Sequence, residues 1–307
     1  YGAFNCSGPQ MYVHDDVKSA IPFIEQSKAK GKPFFVNLWI HEPHTPFHVD
    51  PKLQKRFAEL GEKDAIYAAT LFHADLRIGQ LLDALDRLEL TRNTLVIFSS
   101  DNGPARGAPD AALTLGYDSA TGLGYGIGAA KGITAGRRAY KGALLEGGIG
   151  VPFIARWPGK VPAGKVDATS ILSAVDLLPT FCDLAGVKLP ASYKPDGLSQ
   201  VKALKGKGDS LRKKPLFWRI GAPWPARDSK PDHWVSYAVV DQQWKLCLNK
   251  DRNFSELFDL TKDPLETKDL SKSNPNAVKR LSSLLETWLK TLPAKPTGKV
   301  FSNLRNQ

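Results

Sequence analysis

The chain has 307 residues, of which 42% are hydrophobic and 24% are charged. This length and composition are ordinary for a globular protein with one large domain and one small domain. No apolar run is long enough to cross a bilayer, so we expect no membrane span. The net charge of +11 favours polyanionic partners. The densest basic stretch, Lys202 to Lys214, has no interleaved aromatic residues, so we expect no nucleic-acid binding.

The first half of the chain alternates helical and strand patterns. Apolar residues at helical spacing predict helices over residues 15–29 and 64–88. Two apolar runs of strand length, 34–40 and 94–100, are typical of strands buried on both faces of a parallel sheet. The glycine-rich residues 103–140 predict a long loop.

A third strand over residues 151–157 and a helix over 173–185 continue this alternation. The pattern predicts an α/β fold in which a mostly parallel sheet is sandwiched by helices. The C-terminal third changes to short aromatic and β-branched pieces between turn residues, which is typical of antiparallel strands, and it ends in a predicted helix over 276–292. We therefore expect an α/β domain over residues 1–212 and a small antiparallel α+β domain over residues 213–307.

Polar clusters follow the first two predicted strands, at the carboxyl ends where ligands bind in open α/β sheets. The second strand runs into Asp101 and Asn102, followed by Gly103 and Pro104, which turn the chain away. Carboxylate and amide oxygens are hard ligands that suit Ca²⁺ or Mg²⁺ and do not suit zinc. The alternative is an ordinary turn, because Asp-Asn-Gly is a common turn sequence.

Three cationic side chains are candidates for contacting an anion. The first strand runs into His41 and His44, which prolines hold in a stiff loop, and an imidazole there can donate to an anion or protonate a leaving oxygen. Lys141 follows the glycine-rich stretch and offers a compact positive charge. The alternatives are histidines paired with backbone carbonyls and a solvent-exposed lysine.

Five segments in order along the chain together resemble the formylglycine-dependent sulfatases of the alkaline phosphatase superfamily. They are PFFVNLWIHEPHTPF, TLVIFSSDNGP, YKGALLEGGIGVPFIARWPG, SAVDLLPTFCDLAG and ELFDLTKDPLETKDL. The resemblance covers nearly the whole chain. It implies an alkaline phosphatase-like fold and a hydrolase of sulfate esters.

The resemblance also implies roles for individual residues. Asp101 and Asn102 match the pair that ligates Ca²⁺ in the family. Lys141 matches the lysine that contacts the sulfate and the ester oxygen. His44 matches the histidine that binds sulfate and assists the leaving group. His41 has no firm role in the family, and we expect it either to support the residues that contact the sulfate or to face the substrate.

The sequence departs from the family at the nucleophile. Family members carry Cys/Ser-x-Pro-x-Arg, whose first residue is oxidised to formylglycine, after an Asp pair that supplies further calcium ligands. The segment Cys6–Gln10 has its proline one position late and Gln10 in place of the arginine, so it does not match. We expect the family's N-terminal part to be absent, the calcium site to be incomplete, and this chain alone to show little or no activity.

The leading hypothesis is a sulfuric ester hydrolase acting on sulfated carbohydrates or aryl sulfates. Two alternatives stay open: a phosphate mono- or diester hydrolase of the same superfamily, and a non-catalytic remnant that binds sulfated glycans. The sequence leaves the compartment undetermined, and the resemblance implies a periplasmic, secreted or lysosome-like location.

Overall fold

The structure is a computed structural model that describes residues 13–47, 49–107, 113–118, 122–208, 211–221 and 234–293. The chain divides into two compact units. Unit 1 comprises Tyr1–Ile97, Ala105–Ile133 and Arg156–Gly159, and unit 2 comprises Phe98–Pro104, Thr134–Ala155 and Lys160–Gln307. The segment Cys6–Gln10 lies outside the described residues.

Unit 1 is built mainly on helices, and its two long helices confirm the predicted ones. The helices are α1 (Val13–Ala29), α2 (Pro51–Arg56) and α3 (Glu62–Arg87). Helices α1 and α3 pack together, and an ion pair of 2.7 Å joins Arg87 to Glu25 at their surface. Helix α3 buries residues at helical spacing, among them Ile66, which joins Phe47 and Ala129 in the core of this unit.

The predicted strand over residues 34–40 is wrong for the described part of the chain. Among the described residues no strand pairs with this segment, so it forms no ladder. Its side chains alternate between half-buried and exposed, and Phe35 and Trp39 are 66% and 80% exposed. The backbone is therefore extended with only one face covered, because burial on both faces requires neighbouring strands as well as apolar residues.

The predicted strands 94–100 and 151–157 are confirmed in position, but the prediction that 94–100 is buried on both faces is wrong, because Phe98 is 46% exposed. Strands β1 (Val96–Ser99) and β4 (Phe153–Arg156) pair in a two-stranded sheet. The stretch 103–140, predicted as one long loop, contains an antiparallel hairpin of β2 (Thr114–Asp118) and β3 (Gly122–Tyr125). Glycines at three strand positions and a register shift explain why no strand pattern is clear from the sequence.

The remaining elements belong to unit 2, and those after residue 212 confirm the predicted antiparallel sheet and helix. They are α4 (Glu146–Ile149), α5 (Leu177–Leu184), α6 (Val201–Leu204), β5 (Leu216–Arg219), β6 (Val235–Asp241), β7 (Trp244–Asn249), β8 (Ser255–Asp259) and α7 (Pro275–Leu289). Strands β5 to β8 form one antiparallel sheet in sequence order. One face packs on α7 through Leu281 and Leu285, and the other packs on Leu144 and Leu145. The boundary after residue 212 stays a prediction.

Helix α5 ends at Leu184, and Gly186 follows its C-cap with a left-handed φ of 67°, a conformation that glycine commonly adopts after a helix. None of the helices in the described ranges combines the length and apolar character that a membrane crossing requires.

Candidate functional site

The Asp101–Asn102 turn leaves strand β1 with its carboxylate in solvent. Asp101 is exposed and Asn102 is half-buried. The Ser100 hydroxyl donates to the carbonyl of Asn102 (2.9 Å) and fixes the turn internally. The Ser99 hydroxyl donates to the carbonyl of Pro152 (2.9 Å), which ties the end of β1 to the segment entering β4. The turn is therefore held by its neighbours while its carboxylate stays accessible.

Backbone hydrogen bonds place this turn beside the segment that carries Lys141. The amide of Lys141 donates to the carbonyl of Pro104 (2.9 Å), and the amide of Gly103 donates to the carbonyl of Gly148 (2.8 Å). A Cβ atom at Gly103 would lie 2.0 Å from the carbonyl oxygen of Gly147. Only glycine permits this approach of the two backbones, which is the reason for the Asp-Asn-Gly sequence here.

Gly147, in the Glu146-Gly147-Gly148 sequence, also lies against the backbone of Arg138 and Ala139. The amide of Gly147 donates to the carbonyl of Arg138 (2.7 Å), and a Cβ atom at Gly147 would lie 2.2 Å from the carbonyl oxygen of Ala139. The two glycines therefore sit between the turn after β1 and the residues before Lys141, and they hold both segments together.

Lys141 is half-buried, and among the described residues no carboxylate forms an ion pair with its ammonium. Because no described carboxylate neutralises its ammonium, and because its backbone is held in place, Lys141 suits the binding of an external anion such as a sulfate group.

The histidine loop belongs to unit 1. The amide of His44 donates to the carbonyl of His41 (2.8 Å), and the two ring centroids are 5.4 Å apart. The Nδ1 atom of His44 lies 2.6 Å from the carbonyl oxygen of Thr45. Because a carbonyl can only accept, Nδ1 carries the proton, and Nε2 is left to accept a proton or, when protonated, to donate one.

Two contacts anchor the histidine loop within unit 1. Glu42, whose side chain is only 7% exposed, lies 3.7 Å from Nδ1 of His73 on helix α3. Phe47 pairs with Tyr125 at the end of β3 through two backbone hydrogen bonds of 3.0 Å. The sequence analysis did not single out Glu42. The only indication of its role in the sequence is its position between the two histidines.

The structure thus brings three of the predicted site residues, Asp101, Asn102 and Lys141, onto adjoining segments of unit 2. It places His41 and His44 on one loop of unit 1. That the two sets face one site stays a prediction.

The donor chemistry fits Ca²⁺ in kind and is incomplete in number. A carboxylate and an amide oxygen are hard ligands, but Ca²⁺ takes about six to eight of them. Within the described ranges there is no group of three or more His, Cys, Asp or Glu side chains able to hold a metal ion. Asp101 and Asn102 would be the members of the ligand set that this chain contributes.

Two family models match the chain. The model described as Sulfatase matches residues 1–187, and the model described as N-sulphoglucosamine sulphohydrolase, C-terminal, matches residues 139–295. The matches overlap at 139–187, a range that begins just before Lys141 and contains Glu146.

Known sulfatases are similar to the chain over most of its length. The N-acetylgalactosamine-6-O-sulfatase of Bacteroides thetaiotaomicron is 28% identical over 273 residues, which are 84% of this chain and 47% of that protein. Arylsulfatase G of Rattus norvegicus is 33% identical over 191 residues, which are 62% and 33% of the two chains. The crystal structure of Ps i-CgsB in complex with k-i-k-neocarrahexaose gives a TM-score of 0.71 at 27% identity, over 90% of this chain and 54% of that one.

The chain therefore spans about half the length of the first of these relatives and of the solved structure. The likeness to the solved structure confirms the predicted fold class, including a small C-terminal antiparallel domain.

Proposed function

The chain belongs to the sulfatase family of the alkaline phosphatase superfamily, and on that premise we propose that it forms part of a sulfuric ester hydrolase acting on sulfated carbohydrates. Asp101 and Asn102 contribute oxygen ligands to Ca²⁺. Lys141 and His44 bind the sulfate group, and His41 faces the substrate. Part of the catalytic machinery is not encoded in these 307 residues.

One observation carries the proposal: the hydrogen bonds that join the Asp101–Asn102 turn to the Lys141–Gly148 segment. They set the proposed metal ligands and the proposed sulfate contact on neighbouring stretches of backbone. A sulfate group needs cationic partners, and a bound Ca²⁺ ion next to a lysine supplies two positive centres for one anion.

The substrate class rests on the relatives and on charge. One relative is named for a sulfate on N-acetylgalactosamine, and the structure of similar fold is a complex with an oligosaccharide, neocarrahexaose. The net charge of +11 favours a polyanionic substrate such as a sulfated glycan. Aryl sulfates serve as convenient chromogenic probes of the same chemistry.

Hydrolysis adds water across the ester, so that the alcohol takes one proton and free sulfate leaves. Bound Ca²⁺ would supply positive charge to the sulfate oxygens and to the nucleophile. The Lys141 ammonium would neutralise charge on the sulfate and the ester oxygen. The Nε2 atom of His44, with Nδ1 committed to the carbonyl of Thr45, would deliver a proton to the leaving oxygen.

No Cys/Ser-x-Pro-x-Arg sequence occurs in the chain, so no residue can become the family's formylglycine. The chain can therefore bind calcium and sulfate without hydrolysing an ester, and the two properties can be measured separately. The proposal is tested first by binding.

Replacing Lys141 by methionine should weaken the binding of inorganic sulfate, measured by calorimetry in the presence of Ca²⁺, by about tenfold, because a charge-assisted hydrogen bond is lost. Lys202→Met is the matched control, since it removes the same charge from an exposed position on α6 and should leave the affinity unchanged. Equal weakening in both variants would show that sulfate responds only to net charge and would contradict the assignment of Lys141.

A further inference from the structure

A buried cluster of charged side chains lies behind the Glu146-Gly147-Gly148 sequence in unit 2. Lys245 on strand β7 is fully buried. Its ammonium donates to Oε1 of Glu146 at 2.8 Å and lies 2.8 Å from Oε1 of Glu266, whose side chain is also fully buried. The other oxygen of Glu266, Oε2, accepts the backbone amide of Glu146 at 2.7 Å. Both carboxylates and the start of α4 are thus tied to one lysine.

Burying the charges of Lys245 and Glu266 is costly, and with Glu146 the cluster has two carboxylates for one ammonium. Burial acts to lower the pKa of Lys245, but the carboxylates of Glu146 and Glu266 outweigh it and hold that pKa above its ordinary value. The lysine therefore stays charged at neutral pH. Burial raises the pKa of Glu266. Most other buried positions of this sheet hold apolar residues. The charged residues here therefore indicate a role in holding the local geometry, beyond stability alone.

The backbone of Glu266 has a strained conformation, and the contacts of this residue hold it in place. Glu266 has a left-handed φ of 59°, a conformation that is unfavourable for a residue with a side chain. Its carbonyl accepts a hydrogen bond from Arg138 (3.1 Å), while its carboxylate meets Lys245 and the amide of Glu146. Such strain persists where the surrounding structure over-determines a position.

The cluster connects directly to the candidate site. Glu146 is followed by Gly147 and Gly148, which contact Gly103, and Gly103 follows Asn102. A continuous path through Glu146, Gly148 and Gly103 therefore connects the buried ammonium to the turn that presents Asp101. Rotation or displacement of α4 would move the carbonyl of Gly148 and, through its hydrogen bond to Gly103, the turn itself.

We propose that Lys245, Glu146 and Glu266 form a positioning cluster, through which the C-terminal sheet sets the Asp101–Asn102 turn in its ion-binding geometry. The inference rests on the proposed calcium-binding role of Asp101 and Asn102. It assigns to three residues outside the site, two of them fully buried, a control over its ion affinity. None of the three touches the ion or the sulfate.

The test compares Ca²⁺ affinity, measured by calorimetry at a temperature where circular dichroism shows every variant folded. Glu266→Gln keeps the shape of the side chain and removes one charge. It should weaken Ca²⁺ binding by about tenfold, the lower range for residues that orient metal ligands. Lys245→Met removes the ammonium and should weaken binding at least as much.

Asp241→Asn is the matched control. It makes the same carboxylate-to-amide change at a buried residue of the neighbouring strand β6, where Asp241 pairs with Arg280. It should leave Ca²⁺ affinity unchanged even though it costs some stability. Asp101→Ala should abolish binding.

The outcomes separate the two proposals. If the unaltered chain binds no Ca²⁺, or if Asp101→Ala binds it normally, the proposed calcium role of the turn is wrong. If Asp101→Ala loses binding while Glu266→Gln and Lys245→Met keep the full affinity, the turn binds calcium and the positioning cluster is overturned. A loss in Asp241→Asn equal to that in Glu266→Gln also contradicts positioning, because affinity would then follow stability alone.

Discussion

Purified alone, the 307-residue chain is expected to hydrolyse an aryl sulfate at least about 10³-fold more slowly than arylsulfatase G of Rattus norvegicus assayed beside it. Removal of a nucleophile that acts as a unit with its partners costs most of an enzyme's rate enhancement. In their proposed roles, Lys141 and His44 would bind an anion and move a proton, but they would form no covalent intermediate.

The assay needs two comparisons to identify the chemistry. Added Ca²⁺ should change the rate little, because no residue of the chain can become the formylglycine nucleophile beside the ion. An aryl phosphate tested in parallel should also stay unreacted. Calcium-dependent turnover of the sulfate at the rate of the relative would contradict the account, and turnover of the phosphate alone would favour a phosphate ester hydrolase.

Replacing Arg212 by methionine is expected to reduce the free energy of unfolding of unit 2 by about 3–5 kcal/mol, the range for breaking a buried ion pair. The Arg212 guanidinium donates two hydrogen bonds of 2.7 Å to the carboxylate of Asp176, with both side chains almost fully buried. Asp176 also accepts the backbone amides of Ser173 and Leu198. Removal of the arginine leaves this carboxylate buried without its counter-ion.

Urea unfolding followed by circular dichroism measures this change. Arg252→Met is the control, because Arg252 pairs with Glu286 at the surface, where both side chains are more than 40% exposed. Exposed pairs contribute about 0–1 kcal/mol, so the control should shift the midpoint little. Equal shifts in the two variants would show that burial of the Arg212 pair adds nothing.

Local sequence patterns were enough to predict the four longer helices and the C-terminal sheet, but not the short helices α2, α4 and α6. Helix α3 buries residues at helical spacing, and strands β6 to β8 are neighbours in sequence joined by short turns. These features depend on residues close together in the chain. Residues 34–40 show the limit, because Phe35 and Trp39 have strand-forming side chains, but a strand also needs a partner that lies elsewhere.

Part of the candidate site could also be predicted from the sequence. The rule that ligands gather at strand ends, together with the family resemblance, singled out Asp101, Asn102 and Lys141, and the structure joins their segments by hydrogen bonds. Their roles as ligands stay predictions. The Lys245 cluster escaped notice because a lysine within a strand is usually on the solvated face, and only the tertiary structure shows that it meets two carboxylates.

Paramagnetic broadening tests most directly whether the histidine loop and the Asp101 turn serve one site. Mn²⁺ accepts the same hard oxygen ligands as Ca²⁺ and broadens nuclear magnetic resonance signals of nearby groups. With Mn²⁺ bound, the amide signal of Gly103 should broaden, and so should the imidazole signal of His44, identified among the six histidines by a His44→Gln variant. Both effects should disappear in Asp101→Ala. Broadening at Gly103 with a sharp, unchanged His44 signal would show that the two segments serve separate places and would contradict a shared sulfate site.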